Sequence, residues 1–401
     1  MTIERVLIAG GGTGGHLFPG MAVVEELRRR TASSGVPLEV TFVGTAKGIE
    51  ARVLPKAHEN LELLDVTPLK GRSAAELAAS LMRLPGAYAR CVSILREARP
   101  DVVLGVGGYA SGPMLLAARS LGMRVALLEQ NAHVGMTNRI LAPIVGRAYV
   151  TFDETRAVFG DKARVVGNPV RRAFVEAARM ALADPAGFEA RARKVLVVGG
   201  SQGAQHMNEV LPGALASVPG LEVVHQTGAA MLDAVKARYA SLGVRAEVVP
   251  FIDDMARAYA SAQLVIARAG ATTLAEICAI GRPAVLVPYP HAADDHQTKN
   301  AEALERAGAA VMVRDADLDE KKLGETLRAL LTDDARRAAM ARSARDRGRP
   351  EAAAAIVDDL LAWTSGRNSY TMRGSTTMPR RDRSSERRMV APIARLEPFA
   401  I

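Results

Sequence analysis

Two glycine-rich loops constrain this chain more than any other feature: Gly10-Gly11-Gly12-Thr13-Gly14-Gly15-His16 and Gly199-Gly200-Ser201-Gln202-Gly203-Ala204. Each directly follows a short apolar run, Val6-Leu7-Ile8-Ala9 or Val195-Leu196-Val197-Val198, of the continuous kind that forms a buried parallel strand. A glycine loop between such a strand and a helix lets the backbone approach a phosphate closely. It also aims free N–H groups and the positive end of the helix dipole at that phosphate. One such loop in each half of the chain predicts two nucleotide-binding-like halves facing one cleft.

The length supports this reading, because 401 residues exceed the roughly 250 to 300 at which a single core stops growing. A composition of 49% hydrophobic and 24% charged residues is that of an ordinary globular protein. No apolar run approaches the roughly 20 residues that span a bilayer, and the N-terminus enters a strand without a basic segment and apolar leader, so a cytosolic chain is expected. The two cysteines, Cys91 and Cys278, lie in helix-like contexts and form neither a disulfide framework nor a metal-binding pair. Much of the net charge of +9 is local: Gly366 to Ile401 carries eight arginines against Asp382, Glu386 and Glu397. That tail reads as a basic, disordered extension, with a surface-binding arm as the alternative.

Strand and helix signals alternate through both halves. In the first, strands are expected at Arg5 to Ala9, Glu39 to Gly44, Asp101 to Val106 and Arg124 to Glu129, with helical stretches at Phe18 to Arg30, Ala74 to Arg99 and up to Leu121. The pattern restarts at Lys194, with strands at Lys194 to Val198, Glu222 to Gln226, Ala246 to Pro250, Leu264 to Ala267 and Ala284 to Pro288. The expected fold is therefore α/β, two Rossmann-like doubly wound parallel-sheet domains facing a central cleft. We place the first domain at 1–166, a linker at 167–193, the second domain at 194–349, a closing helix at 350–365 and the tail at 366–401.

Gly10, Gly12 and Gly15 satisfy GxGxxG, a pattern shared by nicotinamide, flavin and nucleotide-sugar proteins. A nicotinamide site wants an acidic residue at the end of the second strand to hold the ribose, but that strand ends in Gly44 followed by Thr45. This counts against a dehydrogenase, although Glu50 could be recruited by a longer loop. His16 stands at the mouth of the first loop, where it can accept a proton from an incoming hydroxyl or simply bond backbone. In the second half, Arg268-Ala269-Gly270-Ala271-Thr272-Thr273-Leu274-Ala275-Glu276 follows a strand and opens a helix, placing Glu276 where a carboxylate can take both ribose hydroxyls. A further polar loop, Pro288-Tyr289-Pro290-His291 with Asp294-Asp295-His296-Gln297, also lies at a strand's C-terminal end, where ligands of such sheets bind. Asp315-Ala316-Asp317 and Asp317-Leu318-Asp319 match the Asp-x-Asp pattern of metal-dependent sugar transferases, but they precede a helix and read as capping or surface residues. The histidines do not fall at metal-ligand spacings, so neither a metal nor another cofactor is expected.

Taken in order, seven strings resemble one family. They are Gly11 to His16 with Pro19-Gly20, Gly107-Gly108-Tyr109 with Ser111-Gly112-Pro113, Glu129-Gln130-Asn131, Gly167-Asn168-Pro169-Val170-Arg171, Gly199 to Ala204, Arg268 to Glu276, and His296-Gln297 with Asn300-Ala301. The family is that of the bacterial peptidoglycan N-acetylglucosaminyltransferases of glycosyltransferase family 28, two-Rossmann GT-B enzymes that convert lipid I into lipid II.

The resemblance implies that UDP-N-acetylglucosamine binds mainly to the second half. Ser201 would contact the diphosphate with Arg171 nearby, Ile252 would face the uracil through its backbone, and Glu276 would hold the ribose. Ala271, Thr272, Thr273, Leu274 and Ala275 would lie along the phosphates, and Gln297 would reach the sugar. Thr13, Gly14, Gly15 and Asn131 would complete the cleft from the first half. The acceptor diphosphate would sit on the loops containing Gly12, Gly107, Gly108, Tyr109 and Ser111, and His16 would activate the acceptor hydroxyl. The implied partners are UDP-N-acetylglucosamine, the polyprenyl-linked acceptor lipid I and an anionic membrane surface at the cytoplasmic face of the inner membrane. Cell-wall or division machinery proteins are further candidates, whereas nucleic acid is not a partner. Leu77, Leu81 and Leu84, with Lys70, Arg72, Arg83 and Arg90 nearby, could lie on anionic lipid or form a core-facing stripe. Two readings compete with this one, a GT-B enzyme glycosylating another acceptor and a non-catalytic nucleotide-sugar sensor. The first need not share the Thr13 to His16 and Gly107 to Tyr109 strings, and the second would tolerate loss of His16.

Overall fold

The apolar runs pair into parallel strands because both faces of each must be covered. In β1 (Arg5–Gly10), Leu7 and Ala9 enter one core while Val6 and Ile8 enter another on the opposite face. Such two-sided burial is available only to a sheet with helices on both faces. The computed structural model describes residues 3–32, 35–66, 74–183, 193–199 and 204–366, with the side chains of 74–84 and 293 outside that set.

The first sheet has seven parallel strands in the order β3-β2-β1-β4-β5-β6-β7. Besides β1 they are β2 (Glu39–Gly44), β3 (Asn60–Leu63), β4 (Val102–Gly107), β5 (Val125–Glu129), β6 (Arg147–Val150) and β7 (Ala163–Val165). The second has six, in the order β10-β9-β8-β11-β12-β13. These are β8 (Lys194–Val198), β9 (Glu222–Gln226), β10 (Arg245–Val249), β11 (Leu264–Ala267), β12 (Ala284–Leu286) and β13 (Ala310–Met312). The strand order reverses beside β1 and again beside β8; the first glycine loop leaves its sheet at the first switch point, and Gly199 follows β8 at the second.

The sequence left four strands unassigned: β3, β6, β7 and β13. Each has only three or four residues, β3 and β7 form the edges of the first sheet and β13 an edge of the second, and their pairing rather than local pattern defines them. Within the stretch read as a linker, Arg172–Ala183 is a helix whose Phe174 and Ala181 are buried in a core of the second domain. The last helix, Ala352–Ser365, returns to the first domain, where Ile356, Val357 and Leu360 are fully buried beside Leu17 and Leu27. Burial of such side chains stabilises by roughly 1.5 to 3 kcal/mol each. Asp359 fixes the docking by accepting Arg147 Nε at 3.0 Å and the Tyr149 hydroxyl at 2.8 Å.

Both cysteines are buried and free, and burial pushes the Cys91 thiol up to about 11 and the Cys278 thiol up to about 12, so neither forms thiolate at neutral pH. Among the described residues no helix is long and apolar enough to cross a membrane, and no cluster of acidic, histidine and cysteine side chains could hold a metal ion.

Candidate active site

A cleft of about 1530 Å³ runs between the two domains, lined by Thr13 to His16 and Gly107 to Tyr109 on one side and by Gly199, Ile252, Ala271 to Thr273, Glu276 and Gln297 on the other. Its first-domain wall is two glycine loops in backbone contact. Gly11 N–H donates to the Gly107 carbonyl at 3.2 Å, and a Cβ on Gly108 would fall 2.3 Å from the Gly11 oxygen. Gly108 also holds φ at +84°, in the region L residues avoid. Gly108→Ala is therefore expected to cost about 2 kcal/mol or more, the backbone penalty plus the clash, whereas Gly12→Ala, at φ +91° with nothing within 4 Å of its Cβ, costs only the backbone part of about 1 kcal/mol. Thermal unfolding of both variants checks this, and equal stabilities would show that the loops need not touch.

The helix that follows the first loop, Gly14–Thr31, begins at Thr13, whose carbonyl accepts from both His16 and Leu17 N–H at 3.2 Å. The amides of Thr13, Gly14 and Gly15 precede the first intrahelical bonds and are the free donors of this helix end. Gly12 N–H is not among them, because Glu50 accepts it at 2.7 Å. Gly12 thus lines the cleft with its amide already committed to Glu50. Glu50 also accepts Thr45 N–H at 2.8 Å, so it braces the loop rather than serving as a ribose ligand.

His16 is half-buried, with Nδ1 3.2 Å from the Gly11 carbonyl and 3.5 Å from Thr13 Oγ1. A carbonyl only accepts, so Nδ1 carries the proton and Nε2 holds the lone pair. Burial holds its pKa below the ordinary 6.5; the Gly11 bond opposes this, the His296 charge adds to it, and Glu50 opposes it weakly. The ring is therefore a neutral base at pH 7.

Across the cleft, Ala271–Ile280 starts at Gly270, and Leu274 N–H closes the first turn onto the Gly270 carbonyl at 3.0 Å. The free amides are those of Ala271, Thr272 and Thr273. The expected phosphate stretch therefore ends there: the Leu274 side chain lies in the core, and neither Leu274 nor Ala275 lines the cleft. Glu276, 6% exposed, faces Arg171 Nη2 at 3.4 Å. Burial pushes its carboxyl up to about 7, with Arg171 pulling the other way. The Arg171 guanidinium stacks over Phe18 of the first domain at 5.1 Å and over Phe174 of the second at 5.3 Å.

Direct bonds join the two walls. Asn300, fully buried, accepts Ala132 N–H at 2.8 Å and donates to Asn131 Oδ1 at 3.2 Å and to the Ala269 carbonyl at 3.3 Å. Asn131 is itself set by the buried Glu129, which also accepts Gly135 N–H and Asn138 Nδ2, both at 3.0 Å. The Asn131 side chain thus fastens the domains together. Thr272 Oγ1 donates to the Gly15 carbonyl at 3.3 Å. That carbonyl is available because the residue four positions on is Pro19, which has no N–H to offer.

Other expected residues fall in varied places. Ile252 lines the cleft and packs on the second core, and Gln297 lines it while accepting Tyr289 N–H at 2.9 Å. Tyr109 is half exposed over the cleft. Ser111 is fully buried under Gly105 and does not line the cleft, so unlike Gly107, Gly108 and Tyr109 it packs beneath the cleft wall. Ser201 lies outside the described residues, as do the side chains of Leu77, Leu81, Leu84 and Arg83, residues Lys70 and Arg72, and the arginine tail.

Asp319 caps its helix as expected, accepting Lys321 and Lys322 N–H. Asp315, by contrast, is not a cap. It pairs with Arg268 and accepts from His206 Nδ1 at 3.1 Å. Burial alone would raise its pKa, but Arg268 and His206 together bring it below the ordinary carboxylate value. Sequence reasoning missed this network, along with the bracing role of Glu50, because the partners come from separate segments. Glu129 and Asn300 had a signal, since both lie in motifs already singled out.

Two parallel-sheet domains that bring two free helix N-termini and a neutral histidine to one cleft define a GT-B transferase acting on a nucleotide-activated sugar. The chain matches the glycosyltransferase family 28 N-terminal domain over residues 6–150 and the C-terminal domain over 194–356, and it belongs to that family. It is 46% identical over 388 residues to a UDP-N-acetylglucosamine--N-acetylmuramyl-(pentapeptide) pyrophosphoryl-undecaprenol N-acetylglucosamine transferase of Sorangium cellulosum, covering 95% of this chain and 94% of that one. The Myxococcus xanthus protein of the same name is 46% identical over 372 residues, covering 91% and 95%. The crystal structure of Acinetobacter baumannii MurG superposes with a TM-score of 0.72 at 32% identity, covering 90% of this chain and 99% of that one. A UDP-GlcNAc 2-epimerase from Neisseria meningitidis, at 14% identity and a TM-score of 0.60, shares the fold alone.

Proposed function

We propose that this chain transfers N-acetylglucosamine from UDP-N-acetylglucosamine to the 4-hydroxyl of the muramyl sugar of undecaprenyl-pyrophosphoryl-MurNAc-pentapeptide, lipid I, with inversion, forming lipid II for peptidoglycan synthesis. The observation that carries the site reading is the meeting of two sets of free helix amides, Thr13 to Gly15 and Ala271 to Thr273, joined through Thr272 and the Gly15 carbonyl. Each set suits one diphosphate, one for the acceptor and one for the donor.

The donor lies along the second domain. Glu276 takes the ribose hydroxyls, Ile252 faces the uracil through its backbone, and Ala271 to Thr273 with Ser201 and Arg171 hold the diphosphate. Gln297 reaches the sugar. Neutral His16 takes the proton from the acceptor hydroxyl through Nε2 as that oxygen attacks the anomeric carbon from the face opposite UDP. Negative charge then grows on the departing UDP, and the fixed amides at the helix N-terminus stabilise it without having to reorient. Proton NMR of the product tests the stereochemistry: inversion gives a β-linked N-acetylglucosamine, whereas an α linkage rejects a single displacement.

The lipid acceptor calls for contact with a membrane, and the first domain is the side suited to it. Leu116, Met136 and Ile140, all more than half exposed, border the cleft there. The neighbouring helix Ala74–Ala98 carries Leu77, Leu81 and Leu84 in its sequence, and we include them in this proposal on their spacing alone. Binding at the cytoplasmic face as a peripheral protein would combine apolar burial with charge attraction. Vesicles containing anionic lipid should bind the protein and release it as salt rises, since charge is screened beyond about 8 Å at physiological ionic strength. Truncation after Ser365 separates the helix from the tail. Binding that survives truncation but falls in Leu81→Glu locates the contact on the first domain, and binding lost on truncation alone assigns it to the tail.

A further inference from the structure

We propose that Glu50 is a positioning residue for His16, acting through the single peptide group that joins Gly11 to Gly12. It rests on the reading of His16 as the base. Glu50 opens the short helix Glu50–Lys56 and is 1% exposed. Its Oε2 accepts the Gly12 N–H at 2.7 Å, while His16 Nδ1 donates to the Gly11 carbonyl at 3.2 Å. That N–H and that C=O belong to one planar trans peptide, where they point in opposite directions. Glu50 and His16 therefore grip the same rigid plane from its two sides.

The carboxylate is itself immobilised. Oε1 accepts Thr45 N–H at 2.8 Å and Thr45 Oγ1 at 3.1 Å. A Cβ on Gly11, Gly44 or Gly48 would lie within 2.2 to 2.4 Å of Glu50 atoms, so three glycines leave room for this one side chain. Glu50 does not line the cleft and cannot touch substrate there. An anion on the N–H side polarises the peptide and strengthens the carbonyl as an acceptor, which favours the Nδ1–H tautomer and leaves Nε2 basic. The titratable groups whose charge reaches the ring are Glu50, which raises its pKa, and His296 from the opposite domain, which lowers it.

The test compares Glu50→Gln, His16→Ala and the double variant for kcat, donor KM and the pH dependence of kcat/KM, with 15N spectra of the His16 ring. Glu50→Gln keeps the volume and one acceptor but removes the charge. The expected result is a loss of about tenfold in kcat with donor KM within about twofold, an acid limb moved to lower pH, and 15N shifts showing loss of the pure Nδ1–H tautomer. In the His16→Ala background the same substitution should cost nothing further. A fold-supporting role alone would lower kcat equally in both backgrounds and leave the acid limb in place; either result overturns the proposal. Wild-type turnover in His16→Ala would instead reject His16 as the base, and the ring spectra would still report the Glu50 link. Where Glu50→Gln does not fold, Thr45→Val removes only the hydroxyl donor. A loss of about threefold in kcat that vanishes in the His16→Ala background supports the proposal, and no loss overturns it.

Discussion

His16→Ala is expected to lower kcat by on the order of a hundredfold or more while leaving UDP affinity nearly unchanged, since proton transfer contributes roughly 10²- to 10⁴-fold to such reactions. The geometry separates the two effects. His16 stands on the first-domain loop with its protonated nitrogen bound to Gly11, whereas the donor contacts we assign lie on the second domain. Its pKa is held below 6.5, chiefly by burial, so the acid limb of kcat/KM should fall below that value. The sign for stability follows the same shift: the unfolded chain binds this proton more readily, so folding weakens as pH falls through 6.5. Near-normal turnover in the variant, or an acid limb unaffected by it, would leave His16 a structural histidine.

Glu276→Ala should act on the opposite kinetic parameter. A ribose contact far from the anomeric carbon is made about equally in ground and transition states, so KM for the donor rises while kcat is largely kept. Hydrogen bonds to a charged group contribute about 1.5 to 3 kcal/mol, which corresponds to roughly 10- to 150-fold in affinity. The raised pKa adds a pH signature. Burial lifts this carboxyl from 4.5 to about 7, so between those values the folded state binds more protons than the unfolded chain, and folding is disfavoured as pH rises. Ribose hydroxyls donate to the ionised form, so UDP affinity should tighten as pH rises through about 7, and Glu276→Gln should abolish that dependence. Calorimetric titration with UDP across pH 6 to 8 measures it. A collapse of kcat with unchanged KM would mean that Glu276 acts on the reacting centre instead.

The sequence carried the parts of this architecture that follow from local rules. β1 and β8 were legible because apolar residues fill both faces, and the loop after β1 because its glycines stand between such a strand and a helix. The helix from Thr13 began earlier than expected, since Gly14 and Gly15 are poor helix formers that tertiary contacts hold in the first turn. What stayed hidden depends on segments distant in the chain. No local pattern says that Glu50 will take the Gly12 amide, that Asp315 will meet Arg268 and His206, or that Asn300 will fasten Asn131. Ser111 and Leu274 show the converse, because each lies within a motif that borders the cleft yet turns its own side chain into the core.

Transfer of labelled sugar tests the central claim most directly. Full-length protein would be incubated with radiolabelled UDP-N-acetylglucosamine and lipid I, with EDTA present and no divalent metal added. The result predicted is label moving into the lipid fraction at a rate that depends on His16, as a product carrying one β-linked N-acetylglucosamine per muramyl sugar. Label that stays with the nucleotide, or that is released only as free sugar, would contradict the account.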